Sequence, residues 1–181
     1  PNIDHPKLIG MPIGFEEKER EGGNQEIIRK HWDNKVAWEN KINKLYLSYH
    51  PLGHNPNRDK SIKHLSSLDF VHVEREKLPF DQYLYELGKY KYTICLEGSG
   101  FDTHRNYESL LVGSIPIMIN SSVRKVYKDW DLPSIFVDKW TDICSDLNLD
   151  EYDQFNKLSK NVADFLKIES HKEKILKYAS S

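Results

Sequence analysis

Two strongly apolar runs, Tyr92-Thr-Ile-Cys-Leu96 and Ile115-Pro-Ile-Met-Ile119, bracket a polar stretch that opens on glycines at 98 and 100. Apolar runs of that length read as buried strands. The stretch between them passes Asp102, a good N-cap residue, continues at helical spacing and meets Gly113 just past its end. Strand, glycine loop, helix and second strand form a β-α-β unit. In that layout a phosphorylated ligand sits on a helix N-terminus above the carboxyl end of a parallel sheet.

The rest of the chain repeats the alternation. Lys7–Ile13 is a short apolar run closed by Gly14, and Pro12, which lacks an N–H, places it at the sheet margin. Charged residues 16–23 form a loop, and Asn24–Asn34 an amphipathic helix. Lys44–Tyr49 is a strand running into the turn-rich loop Pro51–Arg58, then a helix to Leu65. Phe70–Val73 is a strand. Pro79 suits a first helical turn, so Phe80–Leu87 is a helix that Gly88 ends. The helix Asp102–Val112 lies between the two central runs, and Ser134–Val137 is a sixth strand. From about residue 151 the chain is helical, with Phe155, Leu158, Val162, Phe165 and Leu166 at helical spacing. This pattern predicts one domain over residues 1–181. It is an α/β three-layer αβα sandwich with a mainly parallel, Rossmann-like sheet, on which the C-terminal helices pack.

A formal net charge of −2 provides no basic field for nucleic acid, and no apolar run approaches the ~18 residues that span a membrane. Nothing at the N-terminus resembles a signal peptide. Cys95 lies inside an apolar run and reads as a buried free thiol; Cys144 follows a short helix, and a reducing compartment accounts for both. The histidines show no metal-ligand spacing. Asp129-Trp-Asp131 mimics a metal-binding carboxylate pair but reads as a surface turn. No metal or other cofactor is expected.

At about 100° per residue, Tyr107, Leu110 and Leu111 share one arc of the central helix, and His104, Arg105 and Glu108 share another. The second arc opens toward the glycine loop, where Gly98 and Gly100 allow torsions and close approach that a Cβ forbids. The same residues also suit a plainer assignment: an Arg105–Glu108 surface pair at i,i+3, with Asp102 only a cap. Arg58 and Lys60 follow the turn after a strand and form a second basic candidate, while His50 and His54 read as loop polar groups.

The stretch Cys95-Leu-Glu-Gly-Ser-Gly-Phe-Asp-Thr-His-Arg-Asn-Tyr-Glu-Ser-Leu-Leu-Val-Gly-Ser-Ile-Pro-Ile117 resembles the signature of exostosin-like glycosyltransferases. In that family the segment belongs to the C-terminal lobe of a GT-B fold, which holds the nucleotide-sugar donor. The resemblance implies transfer of a sugar from a nucleoside-diphosphate sugar, UDP-linked, to a glycan hydroxyl. It assigns Glu108 to the ribose hydroxyls, Arg105 to the diphosphate, and Asp102, Thr103 and His104 to the phosphate and sugar pocket. Gly98 and Gly100 form the loop, and Arg58 is a further diphosphate cation. Glu97 stands where the family often has Arg, which points it toward a sugar hydroxyl, and Ser114 stands where the family often has Cys. The implied partners are a nucleotide sugar, a glycan acceptor and a second GT-B lobe supplying the catalytic base. A non-catalytic nucleotide-sugar-binding module is the alternative. The compartment would be cytoplasmic for a bacterial or viral chain and the Golgi lumen for a eukaryotic one.

Overall fold

The computed structural model describes residues 11–48, 56–145, 149 and 159–179. Five strands form one sheet: β1 (Ile42–Ser48), β2 (Val71–Glu74), β3 (Tyr90–Ile94), β4 (Ile115–Ile119) and β5 (Ile135–Val137). They lie in the order β2-β1-β3-β4-β5, and every pairing is parallel. Seven α-helices are described: α1 (Gln25–Asp33), α2 (Pro56–Leu65), α3 (Phe80–Gly88), α4 (His104–Leu111), α5 (Val123–Asp129), α6 (Ser159–Phe165) and α7 (Ile168–Ala179).

Side chains alternate across the sheet with the two-residue period of a strand. Leu45, Leu47, Tyr92, Ile94, Ile115, Ile117 and Ile135 cluster on one face with Ile62 and Leu65 of α2, Trp140 and Ile143. Tyr46 faces the other way, against Leu84 and Leu87 of α3 and Leu111 of α4. Met118 joins Tyr107 and Leu110 of α4, Val126 of α5 and Val162 and Phe165 of α6 on that same side. Burial on both faces is what excludes polar alternation from a parallel sheet. The result is the expected single α/β Rossmann-like unit with helices on both sides of its sheet.

The chain leaves β1 toward β2 in one direction, then crosses back past β1 to β3 and continues through β4 to β5. Right-handed crossovers put α2 on one face and α3, α4 and α5 on the other. The direction of winding reverses between β1 and β3; in open α/β sheets such a switch point, outside the carboxyl ends of the strands, is where ligands bind.

Several elements differ from expectation. Residues 11–13 are not a strand, and residues 7–10 of that expected strand lie outside the described residues; among the described residues there are five strands. β3 begins at Tyr90 and ends at Ile94, although Cys95 still donates its N–H to Ile117 O at 2.9 Å. Helix α5 occupies residues assigned to no element. Asp129 ends it and Asp131 turns the chain at φ 49°, so Asp129-Trp-Asp131 is a turn at a helix end. In the C-terminal region Val162 and Phe165 are buried as expected, while Phe155 and Leu158 lie outside the described residues. Both cysteines are free; Cys95 is buried, and burial pushes its thiol up to about 12. Cys144 follows a single 3-10 turn, Trp140–Asp142.

One buried cation ties the far ends of two helices together. Lys41 is 6% exposed, and its Nζ donates to Gly88 O at the end of α3 and to Val112 O, at 3.0 Å, at the end of α4. Helix C-termini favour a positive charge and leave carbonyls to be satisfied. Burial, with Lys35 nearby, still lowers the ammonium to about 8. Lys41→Met should lower stability by about 1–3 kcal/mol in denaturant titrations, because it strands two buried carbonyls. Between pH 8 and 10.5 the unfolded chain binds more protons at this site than the folded one, so stability from it rises with pH over that window. The stability difference between wild type and Lys41→Met should therefore widen across the same range.

Candidate functional site

Two connections leave the carboxyl ends of β1 and β3 at the switch point. The one after β1, with His50 and His54, lies outside the described residues. The one after β3, residues 95–103, contains the glycines. Gly98 donates its N–H to Gly100 O at 3.0 Å. Neither glycine has a positive φ. A Cβ at Gly98 would meet Thr103 Cγ2 at an ordinary 3.7 Å, and one at Gly100 would meet nothing within 4 Å. The expectation that these glycines supply torsions a Cβ forbids is therefore corrected: neither takes a positive φ, and the loop itself accommodates a side chain at either position.

Asp102 does not cap α4. The N-cap is Thr103, which makes no side-chain cap bond; its Oγ1 donates to Asn106 Oδ1 at 3.0 Å. Asp102 sits one residue too early to reach the first-turn N–H groups, and its carboxylate is used elsewhere. Oδ1 accepts from Tyr107 Oη at 2.6 Å and from Asn106 Nδ2 at 3.4 Å; Oδ2 accepts the N–H of Ile13 at 2.8 Å. Next to it, His104 donates from Nδ1 to Gly14 O at 2.7 Å. Two consecutive residues near the start of the described chain are thus strapped onto the start of α4. Gly14, at φ 72°, makes the turn that lets Phe15 dive toward the core. Met11, Ile13 and, in the glycine loop, Phe101 stay about half exposed. Burial, then the Asp102 hydrogen bond, holds the Tyr107 phenol far above its ordinary range.

Arg105 and Glu108 point toward α3, and Glu108 is only 8% exposed. Its Oε2 accepts from Tyr83 Oη at 3.0 Å, so the surface-pair assignment does not describe it. Burial raises the Glu108 carboxyl above its ordinary value, opposed by Arg105 and the Tyr83 hydrogen bond. Burial works to lower the Arg105 guanidinium, but Tyr83 and Glu108 outweigh it and the group stays above its ordinary value. Its Nε is enclosed without a hydrogen-bond partner among the described residues. Tyr83 is the residue that sequence reasoning missed. It lies on the inward stripe Phe80, Tyr83, Leu84, Leu87, and a phenol on such a stripe signals a buried polar partner.

On the opposite layer, Arg58 and Glu97 come together. Arg58 is 5% exposed in the first turns of α2 and donates from Nη1 to Glu97 O at 3.2 Å. Glu97 Oε2 accepts from Trp140 Nε1 at 2.9 Å. Lys60 is exposed and takes no part in this cluster.

The carboxyl edge of the sheet therefore has a carboxylate–phenol–guanidinium cluster on the α3/α4 side, the glycine loop and the start of α4 in the middle, and a second carboxylate on the α2 side. Among the described residues no group of three or more His, Cys, Asp or Glu is placed to hold a metal ion, and no helix is long and apolar enough to cross a membrane. A shallow depression of about 470 Å³ lies along α2, lined by Asp59, Ile62, Lys63, Ser66, Ser67 and Arg75. None of these residues belongs to the crevice cluster. Neither protein-family models nor curated proteins match the chain in sequence.

Asp102→Ala should cost about 1–3 kcal/mol of stability, since it leaves a buried phenol and a backbone N–H without their acceptor. Hydrogen exchange should show the Ile13 amide losing its protection while β3 and β4 amides keep theirs.

Proposed function

We propose that the protein is the donor-binding lobe of an exostosin-like glycosyltransferase. It would bind a UDP-linked sugar at the crevice between β1 and β3 for transfer to a glycan hydroxyl. The observation that carries this reading is one of position. Residues 95–117, which bear the resemblance, run from the end of β3 through the glycine loop and α4 into β4, and the loop follows β3 at the sheet's switch point, where nucleotides bind in open α/β sheets.

The residues divide the ligand between them. The diphosphate lies against the start of α4, where backbone N–H groups and the helix dipole favour an anion, with the Arg105 cation alongside. Glu108, oriented by Tyr83 through Oε2, receives the ribose hydroxyls on the α3/α4 side. Arg58 acts less as a free cation than as the brace that fixes the carbonyl of Glu97. Thr103 shapes the mouth of the pocket, and Asp102 and His104 hold residues 13 and 14 along its rim.

In the transfer step, the bond between the anomeric carbon and the diphosphate oxygen breaks as the acceptor oxygen bonds to that carbon. The electron pair leaves with the diphosphate. Arg105 and the α4 N-terminus stabilise the charge that develops there, an electrostatic contribution fixed before the reaction begins. The acceptor's proton goes to a base outside this lobe, on the second lobe of the GT-B arrangement.

Calorimetry with UDP, GDP and their sugars tests the reading. Wild type should bind a UDP ligand, and Arg105→Ala should weaken it by about tenfold or more, the scale of a lost charge-assisted hydrogen bond. Glu108→Ala should weaken it comparably; unchanged affinity there removes the ribose role. Absence of binding to every nucleotide overturns the proposal. Binding without transfer or donor hydrolysis, in the presence of acceptor glycan and the second lobe, identifies the non-catalytic module instead.

A further inference from the structure

Glu97 is held at two points by elements from either side of the switch point. Arg58 of α2 fixes its carbonyl oxygen at 3.2 Å, and the indole N–H of Trp140, beyond β5, fixes Oε2 at 2.9 Å. Trp140 is 6% exposed and packed in the core with Leu96 and Ile143, so it orients the carboxylate and does not follow it. An indole is a neutral donor and leaves the charge in place. Among the described residues Glu97 belongs to no ion pair, and its Oε1 accepts no hydrogen bond from them. The side chain is half-buried at the end of β3, immediately before the glycine loop.

A pinned carboxylate with no ion-pair partner among the described residues discriminates between ligand groups. It accepts a hydrogen bond from a hydroxyl and repels a carboxylate or a further phosphate placed against it. Glu97 also lies across the sheet edge from Glu108, which is in the α3/α4 layer. A ligand whose diphosphate rests on α4 and whose ribose reaches Glu108 would present its other end to Glu97.

We propose that Glu97, oriented by Trp140, selects the sugar that the donor carries: it accepts a hydroxyl of an uncharged hexose and rejects sugars bearing a carboxylate. This rests on the donor-lobe reading above and deepens it by naming the class of sugar.

The test is calorimetry of the full chain with UDP, UDP-glucose and UDP-glucuronate. Each sugar nucleotide's Kd is divided by that of UDP on the same variant, so that general loss of fold or of diphosphate binding cancels. Wild type should favour UDP-glucose over UDP-glucuronate by about tenfold or more, the discrimination expected from a close like charge. Glu97→Gln keeps an acceptor for the indole and removes only the charge, and should bring that ratio close to one. Trp140→Phe keeps the charge and removes the orienting bond, and should give an intermediate ratio. A wild-type ratio near one or below it, or a ratio unchanged in Glu97→Gln while UDP still binds, overturns the selection and leaves the donor-lobe reading standing. An unchanged ratio in Trp140→Phe overturns the orienting role. Failure of wild type to bind UDP or either sugar nucleotide overturns both.

Discussion

Everything in this protein is arranged around β3, the central strand, which must satisfy two neighbours and two buried faces at once. Tyr92 and Ile94 point into one apolar layer, and Thr93 and Cys95 into the other, with all four essentially removed from water. Its ladder partners are β1 on one side and β4 on the other. A strand so enclosed has no solvent-facing side on which to put polar chemistry. Polar groups therefore gather where it ends, and the residues that follow Ile94 carry a carboxylate, two glycines, an aspartate, an imidazole and a guanidinium in quick succession.

The elements whose stability comes from local patterning were legible in the sequence. The inward arc Tyr107, Leu110 and Leu111 is buried as helical phase requires, and Asn24 caps α1, accepting from the N–H groups of Glu26 and Ile27. The glycine loop, its helix and the strand after it lie where periodicity places them. What remained hidden depends on partners distant in the chain. Asp102 carries every mark of an N-cap, yet its carboxylate is claimed by Ile13 and Tyr107, and no local pattern signals a bond between residues 89 apart. Residues 11–13 read as a strand because they are apolar, but Pro12 removes a ladder donor and the segment is held by side chains instead of by a sheet. The inward direction of Arg105 and Glu108 follows from Tyr83, a residue of a different helix.

The polar groups under α4 carry a cost that a purely structural core would avoid. A carboxylate, a phenol and a guanidinium are taken out of water together. Burial disfavours the charged forms of the acid and of the guanidinium, and Tyr83 and Glu108 hold Arg105 above its ordinary value against it. Apolar residues of similar volume would fill such a space at least as well. The cluster makes sense as a preorganised set of donors and acceptors next to the mouth of the crevice, with Lys41 securing the opposite ends of α3 and α4 so that the two helices carrying it keep a fixed spacing.

The strap over α4 also constrains the order in which the molecule can assemble. Ile13 and Gly14 are among the earliest described residues to be synthesised, yet their partners, Asp102 and His104, lie 89 and 90 residues further along. Chains grow at about 5–20 residues per second. The early segment must therefore wait several seconds, with Met11 and Ile13 unprotected, until α4 exists to receive it. β1, β2 and β3 are all made in that interval and can pair without it, so the strap docks after the strands that precede α4 have been made.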